Sequence, residues 1–196
     1  MHTLFIVILV LASVVAVAFI VERGLALRWG RVIPTAVQHA VEFYNHADQL
    51  KQLQHTCREN PSTAGRLLLF SSEHLDYPRA ENAALLETRA RHEVAQLERG
   101  LVVLEILIGI APLLGLVGTI YGLITLFGSM SSVTGVDSVK FAQGISTALY
   151  ATLLGLMVAI PALIGWSYYS KKVENLTVEM ESLCDEFLRK HYQGKK

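Results

Sequence analysis

Charge is missing from three long stretches of this sequence. Thr3 to Val21 has none, Leu101 to Gly128 has only Glu105, and Val139 to Tyr169 has only Lys140 at its edge. About 20 apolar residues cross a bilayer core as a helix, so each stretch is long enough to span a membrane. No ionisable group lies near the middle of any of them, although such a group is the usual mark of an ion path. If protons move through this protein, a titrating carboxylate has to come from another chain. Cysteine is also scarce: Cys57 and Cys184 stand far apart with no CxxC spacing, which argues against a zinc site and a disulfide framework. No Cys, His, Asp and Glu set has metal-ligand spacing, and no nucleophile and base pair occurs within the apolar stretches, which counts against an intramembrane enzyme. The formal net charge is zero, so nucleic acid is set aside as a partner. Strand patterns, repeats and low-complexity linkers are absent too, and the reading is an all-α chain.

What the chain has in quantity is apolar residues, 52% against 17% charged, with a mean hydropathy of +0.41. The expectation is an integral membrane protein with three transmembrane helices and long helices extending into the cytoplasm. The first span covers residues 1–21. It lacks the Lys/Arg n-region of a signal peptide and outlasts a typical h-region, so it reads as retained although Ala16-Val17-Ala18 mimics a cleavage triplet. A helical cytoplasmic region follows at 22–100, then the second span at 101–128, a short periplasmic loop at 129–138, the third span at 139–170 and a cytoplasmic tail at 171–196. Arginine sets the orientation. Arg23, Arg28 and Arg31 follow the first span, Arg89, Arg91 and Arg99 precede the second, and Lys171 and Lys172 follow the third, whereas Ser129 to Ser138 carries only Asp137. The positive-inside rule then puts the N-terminus outside and the C-terminus in the cytoplasm.

Between the first two spans, Pro34 suits a helix's first turn, and Val37, Val41, Tyr44, Leu50, Leu53 and Cys57 recur at helical intervals. That helix should end at Asn60-Pro61, with Ser62-Thr63 capping a second one through Phe70 and Tyr77-Pro78 marking another break. From Arg79 the series Leu86, Ala90, Val94, Leu97 and Leu101 predicts one helix running into the second span. In the tail, Val173, Leu176, Met180, Leu183 and Phe187 form a short heptad seam. It fits either packing on the chain's own cytoplasmic helices or contact between subunits.

The second and third spans are richer in small residues than lipid anchors need. Gly115, Gly118 and Gly122 fall within two turns of the second, with Thr119 among them and Pro112 removing the donor for the carbonyl of Ile108. In the third, Gly144, Ala148, Ala151, Gly155 and Ala159 make a small-residue stripe beside Thr152, and Pro161 frees the carbonyl of Met157. Freed carbonyls at bilayer depth need water or a donor, which suggests helices facing protein or a wet cavity. The threonines have two readings. Thr119 can bond back to Gly115 and Thr152 to Ala148 as packing glue, or their hydroxyls can line a path; the same choice applies to Ser146, Thr147 and Tyr150. Glu105 sits about one turn, ~6 Å, inside the cytoplasmic end of its span.

Leu97-Glu98-Arg99-Gly100-Leu101, followed by Ile110-Ala111-Pro112-Leu113-Leu114-Gly115-Leu116-Val117-Gly118-Thr119-Ile120-Tyr121-Gly122, resembles the second-span signature of the ExbB/TolQ/MotA proton-channel family. The third span resembles it too, in Gly144-Ile145-Ser146-Thr147-Ala148-Leu149-Tyr150-Ala151-Thr152 and Gly155-Leu156-Met157-Val158-Ala159-Ile160-Pro161-Ala162. The likeness covers about residues 97 to 170. It implies a multi-pass subunit of the bacterial inner membrane that assembles as a pentamer around the single-span helices of a dimeric ExbD- or TolR-like partner. That partner's aspartate takes up protons, which are the coupling ion, with no other cofactor. Thr119 and Thr152 match the family's path-lining threonines, with Ser146 and Thr147 placed along the same path, and work passes to a TonB- or TolA-like protein. Three spans, rather than four, set the chain closer to ExbB and TolQ than to MotA. Thr147 stands where ExbB and TolQ proteins commonly have a glutamate, so a glutamate-assisted step does not carry over. Glu105 resembles a carboxylate of some ExbB-like branches, where pairing with Arg99 or interfacial water would also account for it. A structural scaffold without ion conduction is the alternative reading.

Overall fold

The computed structural model describes residues 2–45, 47–130 and 138–193. The expected loop between the second and third spans falls largely at residues 131–137, outside the described residues. Eight α-helices account for nearly all of the rest: α1 (His2–Ala26), α2 (Trp29–Val32), α3 (Thr35–Glu42), α4 (Leu50–Glu59), α5 (Thr63–Glu73), α6 (Arg79–Glu98), α7 (Leu101–Met130) and α8 (Ser138–Gln193), with one 3-10 turn at Ala47–Gln49. No strand occurs among the described residues. Three helices are long and apolar enough to cross a membrane, with spans over Phe5–Ala26, Leu101–Gly128 and the α8 stretch from Phe141. The chain is an all-α integral membrane protein. It divides into two compact units, Met1–Arg23 with Gly100–Tyr168, and Gly24–Arg99 with Tyr169–Lys196.

In the first unit, α7 and α8 run antiparallel through their small residues, and α1 lies against both. Ala12 packs on a cluster of Ala111, Val158 and Ala159, Phe5 meets Tyr121 with ring centroids 6.3 Å apart, and Ile20 fills the space beside Gly165. The opposite side of α1, including Val10, Leu11, Val14 and Val21, is exposed, as a helix facing hydrocarbon should be.

The second unit has a core of Tyr44, Leu53, Leu67, Leu68, Leu176, Met180 and Phe187, all buried. Every seam residue of the tail, Val173, Leu176, Met180, Leu183 and Phe187, is buried against the chain's own helices, which realises the first of the two readings of that seam. The Tyr44 and Phe187 rings lie 5.2 Å apart, the Tyr44 hydroxyl meets Nδ1 of His191 at 2.6 Å, and Arg79 pairs with Asp185 at 2.9 Å. As expected, Ser62 caps α5, its hydroxyl accepting from the Gly65 N–H at 3.1 Å.

Two helices end earlier than the sequence suggests. The one expected from Pro34 to Asn60 is interrupted after Glu42. There the Lys190 ammonium donates to the carbonyls of Val41 at 3.0 Å and Glu42 at 2.5 Å, satisfying acceptors that a continuing helix would use itself. The helix expected to run from Arg79 into the second span also breaks, over Arg99 and Gly100. A Cβ at Gly100 would overlap the Arg23 guanidinium, so only glycine lets the arginine lie against the backbone at that turn.

Candidate functional site

Within the membrane-spanning unit the only hydroxyl pair at the α7–α8 contact among the described residues is Thr119 with Thr152, and glycine is what brings them together. A Cβ on Gly115 would lie 2.8 Å from the Ala151 carbonyl oxygen and 2.9 Å from Thr152 Cα, and one on Gly155 would lie 2.5 Å from the Ala111 carbonyl oxygen. All three are backbone atoms and cannot swing aside. Gly118 and Gly122 meet the methyls of Ala151 and Ala148 in the same register. Two helices that approach this closely place side chains from facing turns in direct contact.

Thr119 is 9% exposed and its Oγ1 reaches two carbonyls, Gly115 on its own helix at 3.2 Å and Ala148 on α8 at 3.1 Å. Thr152 Oγ1 reaches the Gly115 carbonyl at 3.2 Å and touches Thr119 Oγ1 directly. The back-bond expected from Thr119 is therefore present, while Thr152 turns from its own helix to the carbonyl of the facing one. Each hydroxyl has one proton to donate and two lone pairs to accept with. One proton must lie between the two oxygens, which leaves one for a carbonyl. Three arrangements satisfy that count, Thr152 to Thr119 and on to either Ala148 or Gly115, and Thr119 to Thr152 to Gly115, and they differ only in the direction of the hydroxyls.

The other expected path residues are elsewhere. Thr147 and Ser146 are exposed on a different face of α8 from Thr152, and Thr147 Oγ1 donates back to the Gln143 carbonyl at 2.8 Å. Tyr150 is exposed as well. Ala148 is buried, Gly144 lies under the Leu126 side chain, and Pro112 and Pro161 sit inside unbroken helices, the first partly buried and the second exposed. Glu105 is exposed and has no hydrogen bond or ion pair within its unit among the described residues.

The extramembrane unit holds a carboxylate that periodicity did not single out. Glu93 is 1% exposed on α6 and accepts from Arg66 of α5 at 2.5 and 3.0 Å and from Arg89 at 2.9 Å. Burial pushes its carboxyl up, but the Arg66 hydrogen bond and charge, with Arg89 and His92, outweigh that and hold it below the usual carboxylate range. Arg89 four residues earlier was the local signal; Arg66 has none in sequence. A cavity of about 690 Å³ lies in the same unit between α6 and α8, with Leu86, Val94, Met180 and Cys184 among its walls.

Residues 64–182, more than half of the chain, match the model of the MotA/TolQ/ExbB proton channel family. The chain belongs to that family. Among curated relatives of this proton channel family it is 34% identical to the putative biopolymer transport protein ExbB-like 1 of Synechocystis, over 80% of this chain and 63% of that protein. It is 30% identical to the Tol-Pal system protein TolQ of Pseudomonas aeruginosa, over 91% of this chain and 82% of TolQ. With the biopolymer transport protein exbB1 of Vibrio cholerae it shares 30% identity over 74% of this chain and 65% of that protein. The chain thus spans less than two thirds of the Synechocystis and Vibrio proteins but most of TolQ.

Proposed function

We propose that this chain is the proton-channel subunit of an inner-membrane motor of ExbB/TolQ type, driven by the proton motive force. The observation that carries the reading is a pair of contacting hydroxyls on the only two helices that match the family's span motifs, in spans without a central charge. Several copies, five by family likeness, would surround the single-span helices of an ExbD- or TolR-like dimer that supplies the titrating aspartate. Protons are the coupling ion and no cofactor is needed. Each proton gains about 2.3 kcal/mol per 100 mV of potential, so a few crossings are enough for a conformational step. That step would be passed to a TonB- or TolA-like protein, energising transport or envelope linkage at the outer membrane. Arginine placement supports an N-terminus in the periplasm and a C-terminus in the cytoplasm.

Thr119→Val with Thr152→Val keeps the shape of both side chains and removes both hydroxyls. Proton-driven activity should be lost while the complex still assembles at its normal mass in detergent; full activity in the double variant overturns the reading. One observation favours a scaffold without conduction: both hydroxyls already have carbonyl partners in the chain's own helix pair, and the glycines are accounted for by close packing. A neighbouring gene for a short single-span protein with one membrane aspartate supports the motor. A monomer or dimer by mass, with no such gene, supports the scaffold.

A further inference from the structure

The segment directly after the first span divides its residues sharply. Leu27, Val32 and Ile33 are buried in the extramembrane unit, whereas Arg28, Trp29, Gly30 and Arg31 are all exposed, Trp29 by 43%. An exposed tryptophan between two exposed arginines does nothing for the core of that unit. Its position along the chain is more telling. The apolar span ends at Ala26, and a chain reaches at most about 3.5 Å per residue, so Arg28 lies within about 7 Å and Trp29 within about 11 Å of the span's end. The headgroup layer is roughly 5–8 Å thick on each side of the hydrocarbon core. Arg31 follows within one turn, its N–H donating to the Arg28 carbonyl at 2.9 Å, so all three residues start close to the headgroup layer.

Arg23, Arg66, Arg79, Arg89 and Arg91 each lie on a carboxylate of the chain, at 2.5 to 2.9 Å. Arg28 and Arg31 have no carboxylate partner among the described residues, a condition they share with Arg58, Arg99 and Arg189. What sets Arg28 and Arg31 apart is their place just after the first span, where an anionic headgroup can supply the counter-charge.

We propose that Arg28, Trp29 and Arg31 form a binding surface for anionic phospholipid, the two guanidiniums holding headgroup phosphate and the indole lying at the headgroup–acyl boundary. Indoles favour that boundary because one edge is apolar and the N–H needs a polar partner. Basic residues at a membrane surface each raise the local preference for anionic lipid about fivefold. The net charge of zero hides this surface, because the compensating carboxylates are elsewhere in the chain.

Trp29 and Trp166 are the only tryptophans, so Trp166→Phe makes Trp29 a reporter. The full chain is reconstituted in phosphatidylcholine vesicles doped, at equal mole fraction, with either brominated phosphatidylglycerol or brominated phosphatidylcholine. Brominated phosphatidylglycerol should quench Trp29 at least twice as strongly. Bromines near the headgroup should quench more than bromines deep in the chains. Arg28→Gln with Arg31→Gln, both at exposed positions, should bring the ratio to about one without changing the far-ultraviolet spectrum. Equal quenching by the two lipids in the parent protein overturns the proposal, as does a ratio unmoved by the double substitution. Absence of quenching by either lipid also overturns it and assigns the face to a protein partner. Inorganic phosphate should leave the ratio where chloride of equal ionic strength leaves it. Selective loss in phosphate overturns the lipid source in favour of a free anion. None of these outcomes depends on proton conduction.

Discussion

Replacing Gly155 with alanine tests whether helix approach makes the hydroxyl pair. The added Cβ would lie 2.5 Å from the Ala111 carbonyl oxygen and 3.2 Å from Gly115 Cα. A carbon resting on a carbonyl oxygen needs about 3.3 Å, so α7 and α8 have to separate by about 0.8 Å. The bonds from Thr119 to the Ala148 carbonyl at 3.1 Å and from Thr152 to the Gly115 carbonyl at 3.2 Å are already long for hydroxyl donors. The same displacement takes them to about 4 Å, beyond hydrogen bonding. Overpacking of this kind costs about 1–3 kcal/mol and interhelical bonds in membranes about 0.6 kcal/mol each, for a loss near 2–4 kcal/mol. The assay is the fraction of protein that stays monodisperse in detergent after stepwise heating, compared with Gly109→Ala. Gly109 lies on α7, and a Cβ there meets nothing within 4 Å outside its own helix turn, so that variant should match the parent. Gly155→Ala should fall apart several degrees lower and lose proton-driven activity. Equal stability of the two variants would refute the argument that glycine sets the helix separation.

Two further outcomes follow from the extramembrane unit. Glu93→Gln should cost about 3 kcal/mol by urea titration, the low end for a broken buried pair because Arg66 and Arg89 remain 45% and 40% exposed. The Glu93 carboxyl is held below the ordinary glutamate value of 4.5, so its stabilisation is complete above that pH and is lost as pH falls through the lower, folded value; the variant should lack that acid-sensitive part. Burial raises Cys57 to about 11 and, with Cys57 and Glu181 nearby, Cys184 to about 12. At pH 8 about one Cys57 in a thousand is thiolate, so iodoacetamide should label neither cysteine until the unit is unfolded, as read by intact mass.

The spans, their small-residue faces and the buried seam of the tail were legible because each is periodic within one helix. Val173, Leu176, Met180, Leu183 and Phe187 announce a buried stripe without reference to what covers it. What the sequence concealed depends on residues far apart in the chain. Helix α3 stops at Glu42 because Lys190, 148 positions later, occupies its last carbonyls. The Arg23 guanidinium lies against Gly100, and the buried Glu93 carboxylate is met by Arg66. The motif names Thr119 and Thr152 but does not tell which carbonyl each hydroxyl reaches, because the facing-helix carbonyls of Ala148 and Gly115 are 29 and 37 positions away. Ser146 and Thr147 share the motif and not the contact, since one or two positions along a helix turn a side chain to another face.

Two hydroxyls with two protons can reverse direction together, but they gain and lose no charge, so a relay through them requires a donor at one end and an acceptor at the other. Thr119 is the enclosed member, 9% exposed and surrounded by carbonyls that can only accept; Thr152 is the more open one. A carboxylate arriving from another chain would therefore meet Thr152 first. To accept a hydrogen bond from Thr152 it has to replace the Gly115 carbonyl as that hydroxyl's acceptor. Thr119 then donates to Thr152, the bond it already makes when Thr152 donates to Gly115. The pair can thus present a proton to an incoming anion, or a lone pair to an incoming acid, without any movement of the backbone. Its direction would be set by the charge of the group beside Thr152. Thr152→Ser keeps that hydroxyl and should retain function, whereas Thr119→Ser should leave function intact only if the substituted hydroxyl still donates to Thr152. The order of those two effects separates an exposed path hydroxyl from one that positions it.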